Sequence, residues 1–346
     1  MTEANADAAS RYKKIVLGFE AMRSLFVDVF LESHDTPPEQ IVLDLDATDD
    51  PLHGRQEGRF FHGYYKHYCY LPLYAFCGEH LLAAQLRPSN IDASAGTVEL
   101  LERIVGQVRR SWAEVRIIIR ADSGFAREAI MVWCEANGVD YVLGLAKNSR
   151  LAAEIAEELS AAEAEWERTG QAARLFKDFR YCTRSSWTCE RRVVGKAEHL
   201  EKGSNPRFVV TSLGEAAYAA RALYEDLYCG RGEMENRIKE QQMCLFADRT
   251  STRWMRSNQI RLWLSSLGYV LVAGLRRLGL AGTKMARSRC DTIRLKLLKI
   301  GASVRVSVRR VWVSLAGGYP LRELFCRVCR RLETAITRHV FHPLRC

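Results

Sequence analysis

The sequence has no apolar segment long enough to cross a membrane. Its longest apolar run, Leu262 to Leu275, has about fourteen residues and includes two serines, whereas a membrane-spanning helix needs about twenty. The opening residues, MTEANADAASRYKK, contain no apolar stretch after a basic segment, as a secretory signal requires. We therefore expect a cytoplasmic protein in which this run forms a buried helix.

Sequence signatures of several other protein classes are also missing. The eleven cysteines show no regular spacing, which argues against a disulfide-stabilised scaffold. There is no glycine-rich phosphate loop ending in Lys and Ser or Thr, and no nucleophile motif surrounds a Ser or Cys. The chain has no internal repeat or low-complexity tract. Neither a nucleotide cofactor nor a covalent nucleophile is expected.

Positive charge is concentrated in the C-terminal part of the chain. The 346 residues have a formal net charge of +10 and a pI of about 9.1. Residues 276–346 contain seventeen Lys or Arg and three acidic residues, a net charge of +14, so the remainder carries −4. Because clustered cations attract phosphates and release counterions, this distribution predicts an enzyme body with its own nucleic-acid-binding region. The alternative is a solvated basic helix face without a partner.

Predicted strands and helices alternate in the first half of the chain, which is typical of an α/β domain with a central sheet. Residues 1–36 have apolar positions at helical spacing, and two prolines end that segment. IVLDLDAT, at residues 41–48, alternates apolar and acidic residues. The period of two predicts a strand with Asp44 and Asp46 on its polar face.

Further strands and helices are predicted along the same domain. YCYLPLYAFCG and EHLLAAQLR predict two strands joined at Gly78, and a helix is expected from about Gly96 to Arg110. VRIIIRAD predicts a buried strand that ends on Asp122, with Ser123 as the cap of the next helix. DYVLGLA predicts another buried strand after that helix.

Changes of pattern predict five segments. Residues 1–38 form a short helical N-terminal segment, which is interpreted as a truncated DNA-binding region, and residues 39–146 form the first part of the α/β domain. An Ala/Glu-rich helix and three predicted strands make residues 147–213 a β-rich insertion. Residues 214–275 complete the α/β domain, and residues 276–346 form a basic helical C-terminal region.

Three acidic residues occur where separate elements of this domain could bring them to one point. Asp46 and Asp122 stand at the ends of two predicted strands, and Glu235 lies on a predicted helix. Phosphoryl transfer on DNA without a covalent enzyme intermediate uses two hard cations about 4 Å apart, which carboxylate oxygens bind. Each aspartate alone is equally explained as a cap or a solvated acid, and Asp44 competes with Asp46. Together the three acids indicate a divalent-metal site.

The segment around Glu235 adds cations to this acid. On a helix that turns about 100° per residue, about a third of the circumference is shared by Tyr228, Arg231, Glu235, Lys239 and Gln242. Such a face could present Glu235 to a metal while Arg231 and Lys239 contact phosphate oxygens, because a guanidinium can bind phosphate through two nitrogens. The alternative is a helix with ordinary ion pairs.

Long motifs connect the chain to a known family. They are LDLDATDDPLHG at residues 43–54, FFHGYYKHYCYLPLYAFCG at 60–78, LRPSN at 86–90, IRADSGFAR at 119–127 and CEANGVDYVLGLAKN at 134–148. YCGRGEMENRIKE from residue 228, FADRTST at 246–252 and IRLKLLKI at 293–300 follow. In this order, over residues 21–325, they resemble the DDE transposases of bacterial insertion sequences, specifically the thirteen-eighty family.

The resemblance implies a fold and a set of site residues. The fold is α/β, with an RNase H-like catalytic domain interrupted by the β-rich insertion at residues 147–213. Asp46, Asp122 and Glu235 become the catalytic metal ligands, for Mg2+ or for Mn2+ in its place. Tyr228 and Arg231 belong to the tyrosine, arginine, glutamate, lysine signature of related elements, and with Lys239 they are expected to bind DNA.

The activity implied by the resemblance is DNA transposition and recombination. Water nicks the DNA at the transposon ends, and the freed 3′ hydroxyl then attacks the other strand or target DNA. The expected partner is double-stranded DNA, both inverted repeats and target, bound by a homodimer in the bacterial nucleoid. No membrane and no nucleotide cofactor are involved.

Two departures from the family pattern define an alternative function. Gln242 stands where the signature has a lysine seven residues beyond the glutamate, and Lys239, one turn earlier, is the nearest substitute. Relatives carry a longer segment before the first catalytic strand than the forty or so residues found here. The alternative is a truncated, catalytically weak or dead remnant that binds element ends and represses intact copies.

Two further features have both a structural and a functional interpretation. Trp187, in the predicted insertion, could stack on a flipped base at a transposon end, although core packing is the favoured interpretation. A spacing close to that of a zinc site is shown by Cys326, Cys329, His339 and His342. Because both cysteines stand in a predicted helix, these residues are not included in the predicted site.

Overall fold

Strands and helices alternate through most of the chain. The computed structural model describes residues 2–3, 15–16 and 18–340. The strands are β1 (Thr2–Glu3), β2 (Ile15–Val16), β3 (Gln40–Ala47), β4 (Asp50–Pro51), β5 (Phe60–His62), β6 (His67–Tyr70), β7 (Leu73–Cys77), β8 (His80–Gln85), β9 (Arg116–Ala121), β10 (Asp140–Leu145), β11 (Ala173–Tyr181), β12 (Arg191–Leu200), β13 (Gly203–Ser204), β14 (Arg207–Thr211), β15 (Ala302–Val306) and β16 (Val311–Leu315). The α-helices are α1 (Phe19–Glu32), α2 (Thr97–Ser111), α3 (Glu128–Ala136), α4 (Ser149–Glu154), α5 (Ala156–Thr169), α6 (Ala220–Ala222), α7 (Gly232–Leu245), α8 (Met255–Gly274), α9 (Cys290–Ile293) and α10 (Arg322–Val340).

Contacts along the chain define two units. The first comprises Met1–Asn236 and Ser251–Gln259, and the second comprises Arg237–Thr250 and Ile260–Cys346. The three predicted metal ligands, the last of which is Glu235, therefore all belong to the first unit.

The main sheet of the first unit is mixed. Its path runs β11-β12-β14-β10-β9-β3-β7-β8, with β13 paired to β12. β3, β9 and β10 are parallel neighbours, and antiparallel strands flank them on both sides. The predicted α/β fold with a central sheet is confirmed. Because parallel strands end at the same edge of a sheet, the residues that follow β3, β9 and β10 meet there.

Helices cover one face of the parallel strands with apolar side chains. Phe30 of α1, Ile104 of α2 and Met131 of α3 pack in one buried cluster with Leu43 of β3 and Ile119 of β9. Burial of each such side chain contributes about 1.5–3 kcal/mol. The alternation of β3 therefore turns its leucines toward these helices and its aspartates toward the opposite face.

The opposite face of the parallel strands is covered by the chain segment that leads to Glu235. Ile118 of β9 and Val142 of β10 pack against Leu223 and Leu227. After α6 the segment widens into a π-helical turn at Leu223–Tyr228, tightens at Cys229–Arg231 and continues as α7. Wide turns of this kind occur frequently at functional sites.

The strands after β10 extend the same sheet. β14 pairs antiparallel with β10, β12 with β14, and β11 with β12. α4 and α5 precede these strands in the chain, and α5 packs against β11 and β12. In the other direction, β7 and β8 form a hairpin with Gly78 in its turn at a φ of 55°, as the sequence predicts.

The second unit combines helices with an exposed hairpin. A buried cluster in this unit contains Leu280, Ile293, Leu297 and Val328. β15 and β16 pair antiparallel, and all of their residues are exposed. Within residues 18–340, no helix is both long enough and apolar enough to cross a membrane.

Two predictions in the first unit are wrong. Within the helix predicted for residues 1–36, Ile15–Val16 pairs with Thr2–Glu3 as a strand and α1 begins at Phe19, while residues 4–14 and 17 lie outside the described part. Ser123 does not cap a helix, because the carboxylate of Asp122 caps a short turn there and α3 begins only at Glu128. An aspartate side chain that bonds its local backbone competes in this way with helix formation.

The prediction of a helical C-terminal region is wrong for residues 302–315. Residues 302–306 and 311–315 form the hairpin β15–β16, because valines that alternate with polar residues favour strands. The run from Leu262 to Leu275 does lie mostly in a helix, but it is not buried on all sides. Leu264 and Leu271 are exposed.

Candidate active site

Asp46 and Asp122 are neighbours at one edge of the main sheet. Asp46 is the next-to-last residue of β3, and Asp122 follows directly after β9. The parallel register pairs Leu45 with Ala121, so the next residues on the two strands are adjacent as well. The sheet itself thus brings the first two predicted acids together.

Backbone amides orient both carboxylates. The N–H of Ala47 donates to Oδ1 of Asp46 at 3.0 Å, and the N–H of Gly124 donates to Oδ1 of Asp122 at 2.9 Å. The second bond caps a turn, so the cap interpretation of Asp122 is correct. A carboxylate has about four acceptor positions, and capping therefore leaves Asp122 able to bind a further group.

Glu235 lies in the first turn of α7 and is paired with a cation. Nη2 of Arg231 is 2.8 Å from Oε1 of Glu235, one helical turn away. Burial alone would lower the pKa of the Arg231 guanidinium, but Tyr228, Glu235, Asp46 and Asp122 together raise it. Arg231 is therefore the cation in the midst of the predicted acids.

The carboxylates of Asp122 and Glu235 both act on Asp46. Burial raises the pKa of Asp46 to about 6, Arg231 opposes that rise, and the charges of Asp122 and Glu235 add to it. Burial is the largest cause of this rise, and the two neighbouring carboxylates add to it. The structure thus gathers all three predicted acids into one electrostatic group, which we call the acidic group.

Tyr228 packs against the strand ends beside Asp122. A Cβ added to Gly144 would stand 2.5 Å from Oη of Tyr228, 2.9 Å from the backbone N of Ser123 and 3.1 Å from the backbone C of Asp122. Burial raises the pKa of Tyr228, Arg231 lowers it and Asp122 raises it. Gly144 is thus required for this packing, and the sequence analysis missed it. A glycine inside an apolar strand was the available signal.

Asp44 has a different partner from Asp46. Arg120, its neighbour on β9, donates from Nε to Oδ1 at 2.5 Å and from Nη2 to Oδ2 at 2.9 Å. Nη1 of Arg120 also donates to the carbonyl of Leu227. Asp44 is buried, so this bidentate pair ties β3 to the segment that leads to Glu235. Sequence analysis missed Arg120, because its place opposite Asp44 depends on the register of β3 and β9.

Lys239 and Gln242 lie further along α7, in the second unit. The shared helix face predicted for Tyr228, Arg231 and Glu235 assumed a uniform α-helix, but the chain changes pitch between Leu223 and Gly232. These three residues nevertheless interact electrostatically. A contact of Lys239 with DNA stays a prediction.

The acidic group has the chemistry of a divalent-metal site. Its donors are carboxylate oxygens, the ligands that Mg2+ prefers in proteins. The charges of Asp122 and Glu235 act on Asp46 in the direction that a bound cation would oppose. Among the described residues, no three His, Cys, Asp or Glu side chains are close enough together to hold a metal ion in the present arrangement. Glu235 is instead turned to Arg231.

The structure gives no functional role to Trp187 or to the described cysteines of the zinc-like spacing. Trp187 is buried in the core beside β11, with its ring centroid 5.8 Å from that of Tyr181, as the core interpretation predicts. Cys326 and Cys329 lie on α10 with free thiols. His342 and the side chain of His339 lie outside the part that the structure describes.

Comparison with known proteins found one matching family. The model of a family described as "Transposase DDE domain group 1" matches residues 2–337. Among curated proteins, none matches the chain. The predicted resemblance to DDE transposases is confirmed, while assignment to the thirteen-eighty family stays a prediction. Because the match covers nearly the whole chain, this protein belongs to the DDE transposases, metal-dependent DNA-cleaving enzymes of DNA transposition.

Proposed function

We propose that this transposase nicks DNA at the ends of an insertion sequence and transfers the freed 3′ end, acting as a homodimer. Asp46, Asp122 and Glu235 hold the metal ions in this proposal. The observation that carries it is the acidic group, in which two adjacent strand ends and a helix bring three carboxylates within electrostatic reach.

The strand arrangement supports an RNase H-like catalytic domain. β3 is antiparallel to β7 and parallel to β9, and β10 follows parallel to β9. Asp46 lies at the end of β3 and Asp122 directly follows β9, where side chains on rigid elements can converge on a phosphate. The strands β11 to β14 stand between β10 and the glutamate helix in the chain, consistent with an insertion at residues 147–213.

The side chains around the acids have separate tasks in this proposal. Mg2+ or Mn2+, when bound, neutralises charge on the scissile phosphate and activates the attacking oxygen. Asp46 and Asp122 present carboxylates whose orientation is fixed by the amides of Ala47 and Gly124. Arg231 binds a phosphate oxygen of the DNA once the phosphate competes with Glu235 for its guanidinium.

Double-stranded DNA is the proposed substrate, and the basic chain segment 276–346 adds affinity for it. That segment has a net charge of +14. In the hairpin β15–β16, three arginines, Arg305, Arg309 and Arg310, lie on or between exposed strands. Exposed cations that contact phosphates release counterions and strengthen binding without regard to base sequence.

The test is nicking of a supercoiled plasmid that carries the inverted repeats of the element. The parent protein should nick it in Mg2+ or Mn2+ and not in EDTA. Asp122→Asn should abolish nicking while leaving binding of the repeats intact, and Asp226→Asn, which changes an exposed acid, should nick like the parent. Equal nicking by Asp122→Asn and the parent would contradict the proposal. A parent protein that binds the repeats but never nicks them would support the repressor alternative.

A further inference from the structure

Exposed aromatic rings are concentrated on one hairpin of the first unit, β5–β6. Phe60 is 41% exposed, Phe61 57%, Tyr64 82% and Tyr68 41%. Among the described residues of this unit, Trp254 is the one other aromatic side chain exposed to a similar degree. Because large apolar groups gain free energy from burial, four such rings within nine residues indicate a surface that a partner covers.

The rings of this hairpin meet edge to face. Phe61 and Tyr68 are directly opposite in the register, with ring centroids 5.5 Å apart and an angle of 78° between the rings. Tyr64, in the turn, meets Tyr65 at 5.0 Å and 86°. In an edge-to-face pair, the edge of one ring contacts one face of the other ring. The remaining faces of these exposed rings are therefore available to a planar partner.

Cations without an acidic partner accompany these rings. The guanidinium carbon of Arg59 lies 3.6 Å from the centroid of the Tyr68 ring, and Lys66 is exposed in the turn. In the part of the chain that the structure describes, neither makes an ion pair, and Nε of Arg59 has no hydrogen-bond partner. Aromatic rings interleaved with unpaired cations favour a polyanion with planar groups, that is, a nucleic-acid strand.

The hairpin is fixed next to the acidic group. Nε2 of His67 lies 2.8 Å from Oδ2 of Asp49, which is three residues beyond Asp46. Tyr65 in the turn lies close enough to Asp46 for an electrostatic effect: burial raises the pKa of its hydroxyl, and Asp49 and Asp46 add to that rise. A strand that reaches the acids would therefore pass the hairpin.

Hydrogen bonds anchor the base of the hairpin within the first unit. The hydroxyl of Tyr70 donates to the carbonyl of Glu57 at 2.6 Å, and Oγ of Ser89 donates to the carbonyl of Phe60 at 3.0 Å. The exposed rings are thus held in place before any partner binds, which lowers the entropy cost of binding.

We propose that the β5–β6 hairpin is a stacking platform for unpaired bases of the DNA strand held at the acidic group. Phe61, Tyr64 and Tyr68 contribute the ring surfaces, and Arg59 and Lys66 bind the adjacent phosphates. Base faces inside a duplex are covered by neighbouring pairs, so the platform selects bases that are frayed or flipped out. The inference rests on the proposed cleavage function, because it is this function that brings a DNA strand to the acids.

The test measures binding of the full-length protein to DNA in EDTA, where no metal-dependent cleavage occurs. The probes are a short duplex with a single-stranded overhang that carries 2-aminopurine, and the same duplex with blunt ends. The parent protein should bind the overhang more tightly and quench the 2-aminopurine. Phe61→Leu and Tyr64→Leu, which keep an apolar side chain but remove the ring, should each weaken overhang binding by roughly five- to a hundredfold.

Matched variants separate stacking from general surface effects. Tyr64→Phe keeps the ring and should bind and quench like the parent, and so should Val132→Ala, which changes an exposed residue on α3. Equal affinity of the parent for both probes, or parent-like binding by the leucine variants, would overturn the inference.

Failure of the stacking platform and failure of the catalytic assignment would give different results. If nicking requires Asp122 while both leucine variants bind the overhang like the parent, the platform alone is refuted. If the leucine variants lose overhang binding while Asp122→Asn nicks like the parent, the platform stands and the catalytic assignment fails.

Discussion

Replacing Asp46 by Asn should stabilise the protein when divalent metal is absent. Burial raises the pKa of Asp46 to about 6, Arg231 opposes that rise, and Asp122 and Glu235 add to it. The pKa in the folded state therefore lies above the unfolded value of 3.8. The free energy of unfolding therefore falls as pH rises from 3.8 to about 6. Above about pH 6 the carboxylate is ionised in both states, and the whole cost of ionising it in the folded protein is present.

The size of the effect follows from the shift. About two pKa units at about 1.36 kcal/mol each amount to roughly 3 kcal/mol at neutral pH. Asn at position 46 keeps an oxygen that can accept from the N–H of Ala47, so that hydrogen bond need not be lost. As pH falls toward the unfolded value of 3.8, the carboxyl group becomes protonated in the folded state and increasingly in the unfolded state, and most of the gain should be lost.

Urea unfolding in EDTA, at neutral pH and at about pH 4, measures the change in free energy of unfolding. Asp44→Asn is the matched control, because Asp44 lies on the same face of the same strand but is paired with Arg120. Removing one partner of a buried ion pair should destabilise the protein by about 3–5 kcal/mol. The reasoning is refuted if Asp46→Asn destabilises the protein at neutral pH, or if its gain is equally large at acid pH.

Three further predictions concern Gly144, Gln242 and the β15–β16 hairpin. Gly144→Ala should push Tyr228 from its place, at a cost of about 1–3 kcal/mol in stability, and slow plasmid nicking; an unchanged nicking rate would show that the position of Tyr228 is unimportant. Gln242→Lys should raise nicking if a lysine there holds DNA, whereas no change in end binding or cleavage would exclude that role. Replacing the exposed Arg305, Arg309 and Arg310 with Ala should make the plot of log affinity against log salt concentration less steep, by about 2 to 3 in the magnitude of its slope. An unchanged slope would exclude the β15–β16 hairpin as a DNA contact.

The pairing of Asp46 with Asp122 could be predicted from the sequence because local patterns determine it. Alternation of apolar and acidic residues identifies β3, and an apolar run that ends on an aspartate identifies β9. Parallel strands joined through a helix then bring both ends to one edge. The participation of Glu235 came instead from the family resemblance and the residues around it.

The distinction between Asp44 and Asp46 could not be made from the sequence. Both acids lie on the same face of β3, so periodicity treats them alike. Register decides between them, because it sets Arg120 opposite Asp44 and leaves Asp46 beside Asp122. Register depends on contacts between distant parts of the chain, which no local pattern specifies.

The β15–β16 hairpin shows a different limit of sequence analysis. Residues 302–315 follow helices and are rich in arginine, so charge and context suggested another helix. The period of two in the valines was the stronger signal. Likewise, FFHGYYKHY matched a family motif but gave no sign that its rings are exposed, because exposure depends on what packs against each face.

Binding of Mn2+ to metal-depleted protein tests most directly whether the three acids form one metal site. We expect Asp46→Asn, Asp122→Asn and Glu235→Gln each to weaken Mn2+ binding roughly tenfold or more, and Asp226→Asn to bind like the parent. Calorimetric titration of the four variants and the parent would show this. Parent-like Mn2+ affinity in any one of the first three variants would contradict the assignment of that residue as a metal ligand.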